Sequence, residues 1–345
     1  MTNDHIRVLI TSPLDPKLVE RIAAVDPRLS VVYRPDLVGQ ARFPGDHSNP
    51  VNRTEAQKAE WASLLAEAEV LFDIDRPSGA DMPRLAPRLR WIQTTSSGVG
   101  EWVTRVGLVD SPVIVTNAAG VHAVPLAEFV LLSMLYFAKG MPRVIGEQRR
   151  HHWERFATES IRGKVLGVVG LGKVGQEIAR QARINGVSVI GTKKSVQGID
   201  PLQLNVDELY PIHRLHDLLA VSDYVALSLP FTAETAGLIG EAEFQAMKPG
   251  AVLINVARGR IVDELAMIGA LRSGHLAGAA LDVTAVEPLP EDSPLWDMAN
   301  VIVTPHSMST EIHENERIVE IFCDNLRRYL AGKPLRNVID KVRGY

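Results

Sequence analysis

Short apolar runs recur along the chain, and each is followed by a polar stretch with helical spacing. IRVLI (6–10), SVVYR (30–34), EVLFDI (69–74), WIQTT (91–95) and VIVTN (113–117) read as strands. Asp15-Pro16 starts a helix between the first two, with a capping side chain followed by proline in the first turn. TEAQKAEWASLLAEAE (54–69) has helical spacing. Later, VLGVVG (165–170) is continuously apolar, the pattern of a strand buried on both faces. VSVIG, YVALSL, AVLINVA, GAALDV and VIVTPH supply further strands. Val174, Ile178 and Ala182 fall four apart on a helix that closes on Asn185-Gly186, a left-handed C-terminal cap. ELAMIGALRSG (264–274) also closes on glycine. In the tail from Glu311 to Ala331, Ile312, Val319, Phe322, Leu326 and Leu330 keep helical spacing and need a surface to dock on.

Strands alternating with helices predict parallel sheets covered on both faces. The expected fold is α/β, with two doubly wound parallel-sheet domains (Rossmann-like or flavodoxin-like) and a cleft between them. The 345 residues suit two domains. Residues 1–117 and 308–345 are expected to form one discontinuous domain, and 118–307 the other. FVLLSMLYFA (129–138), bounded by Glu128 and Lys139, reads as a buried crossover helix, being half the roughly 20 residues a bilayer span requires. PDLVGQARFPGDHSNP (35–50) fits neither pattern and reads as an exposed insertion.

Charge and cysteine usage narrow the function classes. A net charge of −4 and a pI near 6.2 argue against a nucleic-acid-coating protein. The single cysteine, Cys323, excludes a disulfide framework or a multi-thiolate metal site within one chain. It sits in an apolar-periodic helix and reads as a structural thiol. MTNDHIRVLITSP reads as a short strand rather than a signal peptide, so the expectation is a soluble cytoplasmic protein without membrane or nucleic-acid partners.

Chemistry gathers where strands end. Gly170, Gly172 and Gly175 spell G-x-G-x-x-G, with Leu171, Lys173 and Val174 between them, at a strand-to-helix junction. The first glycine permits a tight turn, the second admits a pyrophosphate against the backbone, and the third lets helix and sheet pack closely. Free N–H groups at the helix start then face the phosphates. About 20 residues on, where a carboxylate usually grips the adenine ribose, VIGTKKS offers Thr192, Lys193 and Lys194. Arg258, Glu287 and His306 each follow an apolar strand. An arginine fork can hold a carboxylate and polarise the neighbouring carbonyl. A histidine exchanges protons near neutrality, and a glutamate beside it fixes its ring.

With these residues the sequence resembles the D-isomer-specific 2-hydroxyacid dehydrogenases over nearly its whole length, through VGLGKVGQEIA, LSLPFTAETAGLIG, NVARGRIVDE and LDVTAVEPLPEDSPLWDMANVIVTPH. The resemblance implies a catalytic, substrate-binding domain flanking an inserted dinucleotide-binding domain. It assigns Arg258, Glu287 and His306 to catalysis, Asp282 to the nicotinamide amide, and Leu229-Pro230, Thr235 and Ala257 to the cofactor. It also implies that TSSGVG (95–100) holds the substrate carboxylate through backbone N–H groups near Gly98 and Val99, a role that a small-residue nest can fill. Many family members carry an aspartate where this chain has Gly100. The family usually dimerises through its cofactor domain, a role that suits the arm around Trp153. The implied reaction is hydride transfer between a nicotinamide and a small 2-keto or D-2-hydroxy acid, of the glyoxylate or hydroxypyruvate reductase type. Lys193 stands where members preferring NAD usually carry aspartate, so NADP is expected over NAD. The rival reading is a nucleotide-sensing binding protein like the corepressors that resemble this family. The related formate dehydrogenases pair the histidine with glutamine, which Glu287 disfavours. Asp73, Asp75 and Arg76 (DIDRPSG) are expected to line the mouth of the cleft, with Arg76 a surface group.

Overall fold

Val8 and Ile10 point to one face of their strand and Leu9 to the other, yet all three are buried. That double burial is the fold's organising fact, and it follows from parallel strands whose crossover helices cover both sides. The computed structural model describes residues 5–48 and 50–344. Its chain divides into two units, one from the two ends (up to His122 and from Thr310) and one from Ala123–Ser309.

The first unit holds a parallel five-stranded sheet of β1 (Ile6–Ile10), β2 (Leu29–Tyr33), β3 (Val70–Phe72), β4 (Trp91–Gln93) and β5 (Ile114–Thr116), in the order β2-β1-β3-β4-β5. One face packs Val8, Ile10, Phe72 and Trp91 on Ile318, Phe322 and Leu326 of the tail helix Glu314–Leu330. The Phe322 ring sits 5.1 Å from Phe72 and 5.2 Å from Trp91. Cys323 is buried on the same helix, and burial pushes its thiol up. The other face packs Leu9, Leu71 and Ile92 on Trp61, Leu65 and Val103. Thr54 caps the Glu55–Glu67 helix reciprocally with Gln57.

Two expectations change here. Ile312 precedes the tail helix and is 71% exposed, so helical spacing extended the apolar stripe one turn too far. The described residues 35–48 are not a loose insertion, and Asn49 lies outside the described residues. Pro35–Val38 forms a short helix that buries Leu37 and Val38. Asp46 is buried and accepts hydrogen bonds from the Arg42 backbone and guanidinium and from Ser48. The Arg42 side-chain bond is the largest influence on its carboxyl, which lies well below the usual carboxylate range. His47 then reaches Ser12 Oγ at 3.0 Å and Asn315 Oδ1 at 2.7 Å.

The second unit holds a parallel seven-stranded sheet: β6 (Val165–Val169), β7 (Ser188–Lys193), β8 (Glu208–Pro211), β9 (Tyr224–Leu227), β10 (Ala251–Asn255), β11 (Leu276–Leu281) and β12 (Val301–Val303). The order β12-β11-β10-β9-β6-β7-β8 means the chain builds outward from β6 through β7 and β8, then returns to β9 on β6's other side. β6 and β9 therefore flank a topological switch point, where ligands bind such sheets. The pattern of residues 208–211 gave no strand because this edge strand, ELYP, is too polar and short. The helix Ala123–Ala138 buries Phe129, Val130 and Met134 but leaves Leu132 59% exposed, so it is apolar all round and buried on one side. Among the described residues no single helix is long and apolar enough to cross a membrane.

Candidate functional site

The turn after β6 lies at the switch point, and its glycines have different reasons to be glycine. Gly170 has φ +101°, and a Cβ there would sit 2.8 Å from Leu229 Cβ, just past the end of β9. A Cβ at Gly175 would overlap the Gly170 carbonyl and stand 2.8 Å from Ser228 Oγ. Both are demanded by the chain's own packing. A Cβ at Gly172 would meet no protein atom within 4 Å. Gly172 opens the Lys173–Ile184 helix, where N–H groups lack intrahelical partners. Its bareness leaves the outward side open, the room that a pyrophosphate lying on a helix start would need. Leu171 is buried and Val174 packs on the same core, so these two shape the turn, while Lys173 is exposed. Across the switch point, Thr235 Oγ1 donates to the Pro230 carbonyl at 2.8 Å and accepts from Thr232 N at 2.8 Å, fixing the turn after β9.

β7 ends in the residues that stand where a ribose-binding acid is expected, and the structure separates them. Thr192 is 1% exposed, and its hydroxyl accepts from Gly170 N at 3.2 Å. It braces the glycine turn from inside. Lys193 is half-buried with Nζ 3.3 Å from the Leu171 carbonyl. Lys194 is exposed and pairs with Glu234 Oε2 at 2.7 Å. The Lys194 hydrogen bond, the largest influence, holds the Glu234 carboxyl below its ordinary value.

The strand-end triad is assembled within this unit. Asn255, the buried last residue of β10, accepts from Ala257 N at 3.0 Å and donates to the Arg258 carbonyl at 3.2 Å, so the backbone is fixed on both sides of Arg258. Arg258 Nη1 donates to the Ala257 carbonyl at 2.7 Å. A Cβ at Gly259 would overlap the Thr284 carbonyl, because the loop after β11 crosses directly over it. That loop is held by Ala285 N donating to Glu264 Oε2 at 3.0 Å and Thr284 N donating to Glu287 Oε1 at 3.2 Å. Glu287 Oε2 lies 2.8 Å from His306 Nδ1. His306 has φ +52°, and its loop is tied down by Asp282, whose Oδ1 accepts from Thr304 Oγ1, Ser307 N and Met308 N at 2.8, 3.0 and 3.1 Å. Burial, the largest influence, pushes the Glu287 carboxyl up. The His306 bond and charge, the Thr284 N–H and the Arg258 charge together outweigh it, and the carboxyl lies below its ordinary value. A carboxylate only accepts, so Nδ1 of His306 carries the hydrogen and Nε2 is left for proton exchange. Asn255, Gly259, Glu264 and Thr304 position the triad, and sequence patterning did not single them out. Asn255 alone carried a signal, as a polar residue closing an apolar strand.

In the first unit the 95–100 loop is tied down through its carbonyls. The Ser96 carbonyl accepts from Thr94 Oγ1 at 2.8 Å and Ala118 N at 3.2 Å, and the Ser97 carbonyl accepts from Asn117 Nδ2 at 2.8 Å. In a trans peptide the N–H opposes the preceding carbonyl, so the N–H groups of Ser97 and Gly98 point away from these anchors. Gly98 is exposed, while the Val99 side chain is buried beneath. A Cβ at Gly100 would overlap the Gly344 carbonyl, so the chain's own tail occupies the space of the family's aspartate. Asp73 and Asp75 are each 1% exposed and do not present carboxylates at a surface. Asp75 pairs with the Arg53 guanidinium at 3.3 Å and accepts from Trp61 Nε1 at 3.0 Å. Arg76 is exposed.

Comparison with known proteins bears on the family and the fold. Residues 131–307 match the family described as D-isomer specific 2-hydroxyacid dehydrogenase, NAD binding domain. A glyoxylate reductase of Aeropyrum pernix is 33% identical over 303 residues, 83% of this chain and 88% of that protein. A D-isomer specific 2-hydroxyacid dehydrogenase from Xanthobacter autotrophicus Py2, solved with NADPH and MES, superposes with TM-score 0.80 at 32% identity, covering 99% of this chain and 100% of that one. An NADPH-dependent glyoxylate/hydroxypyruvate reductase from Sinorhizobium meliloti, solved with NADP and sulfate, gives TM-score 0.79 at 26% identity, covering 99% and 100%. The chain spans about half the length, 47%, of the D-3-phosphoglycerate dehydrogenases it matches at 35% identity.

Proposed function

The chain belongs to the D-isomer-specific 2-hydroxyacid dehydrogenase family, and from that premise we propose that it is a 2-keto acid reductase of the glyoxylate/hydroxypyruvate type that prefers NADP(H). The observation that carries this is the triad. His306 is bound through Nδ1 to Glu287 at 2.8 Å, on loops that cross at Gly259, the neighbour of Arg258. Bound at the switch point, the nicotinamide dinucleotide supplies the hydride. Gly170 to Gly175 suit its pyrophosphate, the Leu229-Pro230 turn with Thr235 and Ala257 suits its length, and Asp282 suits its amide. Lys193 and Lys194 suit a 2′-phosphate where an aspartate would repel one. Arg258 binds the substrate carboxylate and polarises the adjacent carbonyl. His306 gives the proton on Nε2 to the carbonyl oxygen as it becomes an alkoxide, and Glu287 favours the charged ring beforehand and fixes its tautomer. Stabilising that developing charge is the largest expected contribution. The Ser97 and Gly98 N–H groups, with Val99 behind them, suit the carboxylate. A homodimer through the second unit is part of the same reading.

The test is NADPH oxidation with glyoxylate and hydroxypyruvate. Wild type is expected to turn over at least one of them. His306→Ala and Arg258→Ala are each expected to lower kcat/KM by about 100-fold or more while NADPH affinity holds. Near-normal turnover in either variant removes the triad from the mechanism.

A further inference from the structure

In the first unit the tail stays ordered beyond its last core residue. Ile339 is buried and packs with Val99, Val103 and Val115. Around it the chain adds to β5: Ile339 N donates to the Val115 carbonyl and Asn117 N to the Asn337 carbonyl, each at 3.0 Å, and Val338 pairs antiparallel with Thr116. No described residue after Ile339 is buried, and Val342 is 85% exposed. Apolar burial therefore does not hold residues 340–344. Polar bonds do. Asp340 Oδ1 accepts from Val342 N and Arg343 N, each at 3.0 Å, and the Asp340 carbonyl accepts from Gly344 N at 2.8 Å. Lys341 Nζ donates to the Val113 carbonyl at 3.2 Å and to that of Ser111. This closed turn sets Gly344, at φ +80°, against Gly100. A Cβ at Gly100 would overlap the Gly344 carbonyl oxygen and stand 2.6 Å from its Cα, so two backbones meet with no side chain between them.

Gly100 opens the helix Gly100–Arg105 and ends the 95–100 loop. The start of that loop is held through the Ser96 and Ser97 carbonyls. Among the described residues nothing accepts from the N–H of Ser97, Gly98 or Val99, and Gly98 is exposed. The tail meets the loop at its other end. An ordered turn that buries nothing thus closes on the backbone beside three N–H groups left without protein partners. We infer that residues 340–344 are a strap, and that Gly344 is a positioning residue that fixes, through Gly100, the loop whose N–H groups receive the substrate's carboxylate. The inference rests on the proposed reading of this loop as that seat. A loop held at both ends before the substrate arrives is not ordered at the expense of binding. That gain is shared by the ground and transition states, so it belongs to KM rather than to kcat.

Two variants release the strap from opposite sides. A chain ending at Val342 lacks Gly344 but keeps Ile339 and Lys341, and Gly100→Ala displaces the Gly344 carbonyl. Each is expected to raise KM for glyoxylate or hydroxypyruvate, whichever wild type reduces, about tenfold, with kcat held within about twofold. NADPH affinity should hold, and amide hydrogen exchange across residues 95–100 should quicken. Combined, the two changes should raise KM no further than the shortened chain alone, since both act through one contact. An unchanged KM in the shortened chain overturns the inference even where exchange quickens, because the strap then serves only the fold. If wild type reduces neither acid, the reductase reading fails instead. The strap is then judged by exchange, and an unchanged rate across residues 95–100 in the shortened chain overturns it.

Discussion

Gly172 and Gly259 are both glycines at strand-end turns, yet a methyl group would meet nothing at the first and a carbonyl at the second. This difference separates a residue with open space beside it, which the proposed cofactor would use, from one kept bare for the fold. Gly172→Ala is expected to leave the melting temperature within about 1 °C while weakening NADPH by tenfold or more. Gly259→Ala should force apart the loops that carry Arg258 and Glu287, with a loss of about 1–3 kcal/mol and a larger fractional loss of kcat. Calorimetry with cofactor titration distinguishes the two, and matched behaviour of both variants would contradict this account. Glu287 adds a pH prediction. Its folded value lies below its unfolded one, so its contribution is present above the ordinary glutamate range, near 4.3, and is lost as pH falls through the folded value. The acid limb of kcat/KM should therefore lie below that range, and Glu287→Gln should abolish it. The triad was legible in the sequence because each member follows an apolar strand within a few residues. Gly259 and Glu264 were not, because their roles exist only once the loops after β10 and β11 meet. The sequence shows that Gly100 departs from the family's aspartate, but only the fold shows the tail at Gly344 in its place.

At the level of elements, the proposed cofactor preference rests on β7 and the turn after it. The strand runs two residues beyond its apolar part, which turns Thr192 inward onto Gly170 and leaves Lys193 and Lys194 at the rim. The TKK stretch was legible as a cationic replacement for an acid. The Glu234 partner was not, since it comes from 40 residues away. Lys193→Asp should weaken NADPH by about 5- to 150-fold, equivalent to 1–3 kcal/mol of charge-assisted hydrogen bonding, and shift preference toward NADH. Glu234→Gln should act oppositely and weakly, because the pair is exposed. Its gain should fade as salt shortens the screening length to about 10 Å at 0.1 M. Affinities for both cofactors at two ionic strengths check this, and a wild type that already prefers NADH would refute it. Residues 35–50 show the opposite failure of legibility. With few apolar positions the segment read as an insertion, but Asp46 with its Arg42 and Ser48 donors does what a small core would otherwise do. Such polar anchoring leaves no periodic trace.

Both sheets were legible at the scale of the whole molecule because strands buried on both faces write unbroken apolar runs, and their crossovers write helical spacing between them. What burial within a single chain cannot explain is the outer side of the Ala123–Ala138 helix. Val124, Leu132 and Leu135 are exposed and fall within one helical stripe, 43%, 59% and 38% accessible, although the helix's other side is core. Trp153, 94% exposed on the arm that follows, adds a large aromatic ring from the same unit. A helix that is apolar all round needs cover on both sides, and an exposed apolar stripe of this kind marks an association surface. On the proposed homodimer, a second copy of the chain would supply that cover by two-fold symmetry, stripe against stripe, as an isologous interface requires. Leu132→Glu would place two like charges near the symmetry axis, so it is expected to shift the protein from dimer to monomer in light scattering coupled to size exclusion. Trp153→Ala should raise the dimer dissociation constant less, since it lies away from the stripe. A wild-type protein that runs as a monomer at micromolar concentration, or a Leu132→Glu variant that stays dimeric, would place the interface elsewhere.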